Sequence, residues 1–401
     1  MAERSSTSNS DDPSAQPTKS HSRAAHRVGG GMPVALMLAI GIVCAVEIFL
    51  RTRDPHSLIA YPELAASDDQ TVTYVAAREF IATDSPADIA LIGSSQMREG
   101  VWMPALIDDL RSQLGDVRVA NYALRGARAD AMEAVTQYLA THPRPPKLAV
   151  IGLSVRDLRG AEPDVTRMAV FWDFSRWTTE LRAHGFDAAP ALPVVIRNGL
   201  GKISYTLRYR DQIAMDLTRP LKPLGIDYRR EGNPIIGETT FQLTGGRGLK
   251  TLEIARTRIS MRRMLARARD SYAWAESPEP SPAMVQRLRS MLTALKERGI
   301  AVVIVEMGVA EPLQNDLIAA DMATAFDNTV SRIASEEGVR FIPAEVQPFK
   351  LGEVHFSDLQ HHNRPGAEIF GKWLAGEIVP IFKESLAGSY TRPPATGPAS
   401  P

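Results

Sequence analysis

Short apolar runs alternate with segments in which apolar residues recur every three to four positions, and two stretches of the chain carry this alternation. In the first, Asp88–Ile92 reads as a buried strand, Met103–Leu114 as a helix, Val117–Asn121 as a strand, Asp130–Thr141 as a helix and Lys147–Gly152 as a strand. In the second, a helix over Pro282–Glu297 leads to a strand over Ala301–Glu306, a helix over Asp316–Glu336, a strand over Val339–Pro343 and a last helix from Pro365. Strands that are apolar throughout need cover on both faces. The pattern therefore predicts a parallel sheet in one α/β domain spanning residues 85–380.

Residues 160–280 break the rhythm. They hold two aromatic-rich helical pieces, around Phe171–Trp177 and Ile203–Arg210, and an Arg-rich helix near Arg256–Arg269, so they read as a mainly helical insertion. Between residues 160 and 270 there are 19 Lys and Arg against 12 Asp and Glu. A solvated helical face explains that excess, as does a surface for anionic glycan or lipid head groups.

A different pattern stands at the start. Residues 1–31 contain seven serines and no apolar periodicity, and residues 387–401 are Pro-, Gly- and Ser-rich; both read as disordered tails. Met32–Leu50 is apolar except for Glu47 and is closed by Arg51 and Arg53. At about 1.5 Å per residue such a run spans a hydrocarbon core of about 30 Å, so it reads as a single transmembrane anchor. A cleaved signal peptide and a soluble helix are the alternatives. Basic residues flank both ends (Lys19, Arg23 and Arg27 before, Arg51 and Arg53 after), so orientation is weakly specified. A tether suits a protein acting at a surface, which favours the exported side of a cell membrane.

Composition narrows the chemistry. The chain has 46 basic and 46 acidic residues among 401, and this balance gives no general argument for nucleic acid as a partner. A single cysteine, Cys44, excludes an internal disulfide and any Cys-rich zinc site, and no metal or cofactor is called for.

In an open parallel sheet, ligand sites lie beyond the carboxyl ends of the strands. The first predicted strand runs into Gly93-Ser94-Ser95, the second into the Asn121–Gly126 turn, and the third into Gly152-Leu153-Ser154. The connection before the last helix carries Asp358-Leu359-Gln360-His361. Gly93 permits a tight turn that puts Ser95 at a helix start, where backbone N–H groups stabilise negative charge. A serine needs a base, and His361 has a suitable pKa; Asp358, three residues earlier, can orient the ring.

This constellation resembles the SGNH/GDSL hydrolase superfamily. Gly93-Ser94-Ser95 is similar to its first block, Gly126 to its second-block oxyanion glycine, and Asp358-x-x-His361 with Asn363 and Gly366 to its fifth block. Two positions depart: Ser94 replaces the first-block aspartate, and Ser154 replaces the third-block asparagine. The departures look like a membrane-tethered branch linked to O-acetylation of cell-surface polysaccharides. The resemblance implies a flavodoxin-like three-layer αβα domain over residues 85–160 and 280–380. It also implies catalysis by Ser95, His361 and Asp358 with Ser95, Gly126 and Ser154 at the oxyanion hole, and no cofactor.

Two functions from different classes follow. One is a serine esterase or O-acyltransferase acting on an acylated glycan or other ester of the cell envelope. The other is a degenerate, glycan-binding scaffold that partners a membrane-bound O-acyltransferase. The aromatic set Phe171, Trp172, Phe174 and Trp177 suits sugar stacking in the second case and core packing in either. Phosphate-ester chemistry is disfavoured, because the chain has neither a Gly-rich phosphate loop nor a metal-ligand cluster.

Overall fold

The computed structural model describes residues 34–53, 70–83, 87–160, 165–210, 261–272, 277–347 and 352–387. The expected tails, apart from Ala387, lie outside the described residues, as do Met32, Pro33, His56 and the start of the expected Arg-rich helix. The chain divides into two compact units, residues 1–45 and 46–401.

Helix α1 (Val34–Arg51) is the one described helix long and apolar enough to cross a membrane, a form shared by anchors and signal sequences. Then come α2 (Gln70–Thr83), β1 (Ile89–Gly93), α3 (Ser95–Gly100), α4 (Met103–Leu114), β2 (Val119–Asn121), α5 (Ala129–Ala140) and β3 (Leu148–Leu153). Four helices of the middle region are α6 (Phe174–His184), α7 (Leu192–Ile203), α8 (Tyr205–Arg208) and α9 (Met261–Ser271). The second alternation gives α10 (Pro282–Glu297), β4 (Ala301–Glu306), α11 (Glu311–Ala319), α12 (Met322–Glu337), β5 (Arg340–Ile342) and α13 (Arg364–Leu386).

The five strands form an all-parallel sheet in the order β2-β1-β3-β4-β5. Alternate strand residues feed two cores. Ile89, Leu91, Val150 and Val303 pack with Leu106 and Leu110 of α4 and with Phe370 and Leu374 of α13. Ala90, Ile92, Ile151 and Ile304 face the other way, onto α5, α10 and α12 through Met132, Leu292 and Phe326. Strands β1, β3 and β4 are thus buried along their whole length, which is why they read as unbroken apolar runs.

The expected helix over Asp316–Glu336 is two helices. Asp321 stands between them with φ of 56°, a left-handed conformation that Asp adopts more readily than most residues. Helix α2 was not signalled at all. Every regular element described between residues 165 and 272 is helical.

The strand order reverses between β1 and β3, so their carboxyl ends flank a natural crevice. Two glycines shape it. Gly93 and Gly152 are register partners. A Cβ on Gly93 would stand 2.5 Å from the Cβ of Met97, and one on Gly152 would stand 2.9 Å from that same atom. The missing side chains let α3 fold back directly over the strand ends.

Candidate active site

Ser94 caps α3, accepting from the Gln96 N–H at 3.4 Å, and Ser95 is the first helical residue. The turn therefore separates two adjacent serines. The Ser94 hydroxyl donates to Asp157 Oδ2 at 3.3 Å, whereas Ser95 Oγ lies 2.9 Å from His361 Nε2.

His361 comes from the far end of the chain. Asp358 Oδ1 accepts from the backbone N–H groups of Gln360 (2.7 Å) and His361 (2.8 Å), which closes the turn and sets the ring. Asp358 Oδ2 lies 2.8 Å from His361 Nδ1. A carboxylate only accepts, so Nδ1 carries the proton, and Nε2 of the neutral ring is left to accept from the Ser95 hydroxyl. Burial pulls the His361 pKa down, but the Asp358 charge and hydrogen bond outweigh it, and the net direction is up. Burial opposes ionisation of Asp358 as well; His361 and the two backbone donors overcome it and hold the carboxyl down at about 2.

Helix α13 fixes this loop in place. Asn363 caps the helix, accepting from the Gly366 N–H at 3.1 Å and donating to the Val354 carbonyl at 2.6 Å. Gly366 is obligatory, since a Cβ there would meet the His355 carbonyl oxygen at 2.3 Å. The neighbouring His362 has the opposite environment to His361. It is buried between Phe356 and Phe370 and pairs through Nδ1 with the Gly100 carbonyl at 3.1 Å. Burial there lowers its pKa to about 4, which keeps it neutral.

The remaining expected site residues separate. Gly126 has φ of 68°, a conformation suited to glycine, in a loop whose Leu124 N–H donates to the Gly93 carbonyl at 2.9 Å. Ser154 is not hydrogen-bonded to the Ser95–His361–Asp358 line. Its N–H (3.0 Å) and its hydroxyl (2.9 Å) both go to Asp157 Oδ2, which leaves it no donor for an oxyanion. Asp157 is fully buried, and its other oxygen receives Arg156 Nη2 at 2.9 Å. One carboxylate thus ties the turn after β1 to the turn after β3.

Sequence reasoning assigned no role to Asp157, Arg156 or Tyr272. The first two follow Ser154 in the turn after β3, but Asp157 also holds Ser94 and Arg156 also holds the Ala127 carbonyl, and both of these lie in other loops of the sheet edge. Tyr272 follows α9, is fully buried beside Gln96, and is held protonated by that burial. The same segment brings Ser271 to accept from Gln360 Nε2 at 3.3 Å, so the middle region borders the His361 loop. No feature of the linear sequence connects residue 272 with residue 360.

Two cavities matter. One of about 250 Å³ is lined by Gly126, Arg128, Arg156 and Arg167, with Asp130 and Ser271. A larger open groove of about 1370 Å³ runs along α5, α6, α7 and α10. Its wall divides the expected aromatic set: Phe171 and Trp172 are buried, while Phe174 is 61% exposed against Trp177. Among the described residues, no group of three or more His, Cys, Asp or Glu is placed to hold a metal ion.

No protein-family model matches the chain, and no curated protein matches it significantly.

Proposed function

We propose that the protein is a membrane-anchored SGNH-type serine esterase or O-acyltransferase, acting on an acyl ester of a cell-envelope or secreted glycan on the exported side. The observation that carries the reading is the continuous Ser95–His361–Asp358 hydrogen-bond line, with Ser95 at a helix start beside the β1–β3 switch point. The 2-1-3-4-5 strand order with helices on both faces supports the flavodoxin-like three-layer architecture of that superfamily.

In this mechanism Ser95 Oγ attacks the acyl carbonyl as its proton passes to His361 Nε2. The carbonyl oxygen becomes an oxyanion held by the Ser95 and Gly126 N–H groups. Collapse breaks the bond to the leaving alcohol, which takes the proton from His361, and the acyl group remains on Ser95 as an ester. Water or a sugar hydroxyl then attacks that ester and gives its proton to His361. Breakdown of the second intermediate returns the proton to Ser95. Asp358 stays ionised throughout and stabilises the imidazolium that forms twice in the cycle.

Ser154 has a positioning task in this scheme, since both its donors are committed to Asp157. An oxyanion hole with one donor fewer costs roughly 3–4 kcal/mol of transition-state stabilisation. That loss favours a slow hydrolase or a dedicated transferase over a vigorous esterase.

A second reading is a glycan-binding scaffold that partners a membrane-bound acyltransferase. The wide groove with exposed Phe174 favours it. Reaction of the full chain with a fluorophosphonate probe separates the two. Labelling mapped to Ser95, lost in Ser95→Ala and retained in Ser94→Ala, is expected of the enzyme. A chain that is never labelled and turns over no short-chain ester is the scaffold.

A further inference from the structure

We propose that the outer face of α7 and α8 is a membrane-contact surface, lying in the head-group layer of the bilayer that receives the apolar run ending at Leu50. In α7, Ile196, Leu200 and Ile203 are 49%, 47% and 71% exposed. Their spacing of four and three residues puts them on one helical face, and Leu207 of α8 continues the exposed series. A water-facing helix does not normally present such a stripe, and large exposed apolar patches mark interaction surfaces.

The opposite face of α7 is firmly mounted. Asn198 is buried and donates to the carbonyls of Ala169, Val170 and Trp172 at 2.9–3.2 Å, while its own oxygen accepts from Arg78 at 2.7 Å. The exposed stripe is therefore held outward by the fold, and rotating it inward would break four hydrogen bonds.

Continuity with the end of α1 identifies the occupant. Within the compact unit that begins at Val46, Ile48 and Phe49 are also largely exposed. Between them and the α7–α8 stripe stands a polar joint. Glu47, the one charged residue in the apolar run Met32–Leu50, caps α8: it accepts from the Tyr205 and Thr206 N–H groups at 2.9 Å and from the Ser204 and Thr206 hydroxyls at 3.0 Å. Arg51 donates to the Ile203 carbonyl and lies over the Tyr205 ring. The acid that interrupts an otherwise apolar segment thus has a structural purpose at the boundary where that segment ends.

Charge agrees with a lipid surface. Exposed Arg51, Arg53, Lys202 and Arg210 flank the apolar residues, and residues 192–210 contain no Asp or Glu. Apolar side chains at interfacial depth, with cations and a tyrosine at head-group level, are the pattern of a helix lying in a membrane surface. A second copy of this chain would bring the same cations face to face, which disfavours it as the occupant.

The test uses the full chain in phosphatidylethanolamine–phosphatidylglycerol vesicles. Cys44 is the sole cysteine and is exposed, so Cys44→Ser gives a background for single-cysteine labelling. A polarity-sensitive fluorophore is placed at Leu200→Cys or Ile203→Cys, at Ile40→Cys within the apolar run, and at exposed Gln113→Cys as the water reference. Circular dichroism checks each variant for the parent fold. The labels at 200 and 203 are expected to emit further to the blue than the label at 113, and to be quenched several-fold more by shallow spin-labelled lipid. Quenching at 40 with water-like emission at 200 and 203 overturns the proposal while leaving the anchor intact. Water-like behaviour at all three positions overturns both. Energy transfer between labelled copies without lipid quenching assigns the face to a second copy and also overturns the proposal.

Discussion

Two clusters of charged and polar side chains in this molecule have similar contact distances and opposite chemistry. At the sheet edge, Ser95, His361 and Asp358 form a line with two links of 2.9 and 2.8 Å. On the flank, Glu133 of α5 receives Arg287 and Ser290 at 2.6 Å, Gln137 at 2.7 Å and Arg176 at 3.4 Å, and Glu180 joins through both arginines. The flank cluster has no proton to pass on. Its guanidiniums cannot lose a proton near neutral pH, and Glu133 has four partners. The line at the edge ends in a hydroxyl beside a ring that can take up a proton, and the Asp358 charge raises the pKa of that ring. Short hydrogen bonds alone do not distinguish machinery from scaffolding; the availability of a transferable proton does.

The largest effect that sharpens this contrast is loss of the line. Ser95→Ala and His361→Ala are each expected to reduce ester turnover or transfer by about a millionfold, with the double variant scarcely worse than either single, because the two act as a unit. Steady-state rates of the three variants check it, and additive losses would break the comparison. Thermal unfolding of Ser95→Ala should stay near that of the parent.

Asp358→Asn comes next, at about ten-thousandfold, since an amide can hold the ring in the wrong tautomer. It also has a sign in pH. His361 must be neutral to accept the Ser95 proton, and the Asp358 charge raises its pKa. The parent kcat/KM should therefore rise with pH through a midpoint above the ordinary histidine value, and the residual activity of Asp358→Asn should show that midpoint lowered. An unshifted acid limb would place the controlling group elsewhere.

The flank cluster should respond in the opposite sense. Arg287→Ala leaves Glu133 buried with its main charge partner gone, and is expected to cost about 3–5 kcal/mol of stability in denaturant titration while the folded fraction retains its rate constant. If activity falls and stability does not, the cluster is not mere scaffolding.

The smallest effect concerns a third group. Burial, together with the charge of Asp327, raises the Glu306 carboxyl, and burial with Glu345 raises Asp327. Both are favoured protonated in the fold. Their contribution is full below the ordinary carboxylate range and is lost as pH rises through the raised values. Glu306→Gln should flatten that decline in stability between mildly acidic and neutral pH, which unfolding curves at several pH values would show.

How far this was legible in the sequence depends on how local the determining contacts are. The central strands β1, β3 and β4 announce themselves because both their faces are buried. The expected edge strands Val117–Asn121 and Val339–Pro343 shorten to the three residues of β2 and β5: β2 starts opposite Ile89, where β1 begins, and β5 stops before Pro343, which has no N–H to pair. The break at Asp321 left no Gly or Pro to read, because an aspartate took the left-handed position. Ser95, Asp358 and His361 were readable from turn chemistry combined with the sheet-edge rule. The commitment of Ser154 to Asp157 was not, although the two are only three residues apart: the sequence shows a hydroxyl, and only the fold shows where its donor is spent. Tyr272 depends on the docking of α9, which no local pattern encodes.

The 266 residues that separate Ser95 from His361 also set a timetable. A chain made at about 5–20 residues per second carries its serine for on the order of tens of seconds before the histidine exists. During that interval β1 and β2 can pair and α3 can seat on Gly93, but nothing can take the hydroxyl proton. On the proposed function, chemistry therefore waits until residue 361 has been made and seated, and any product of premature termination before it carries the serine without its proposed base.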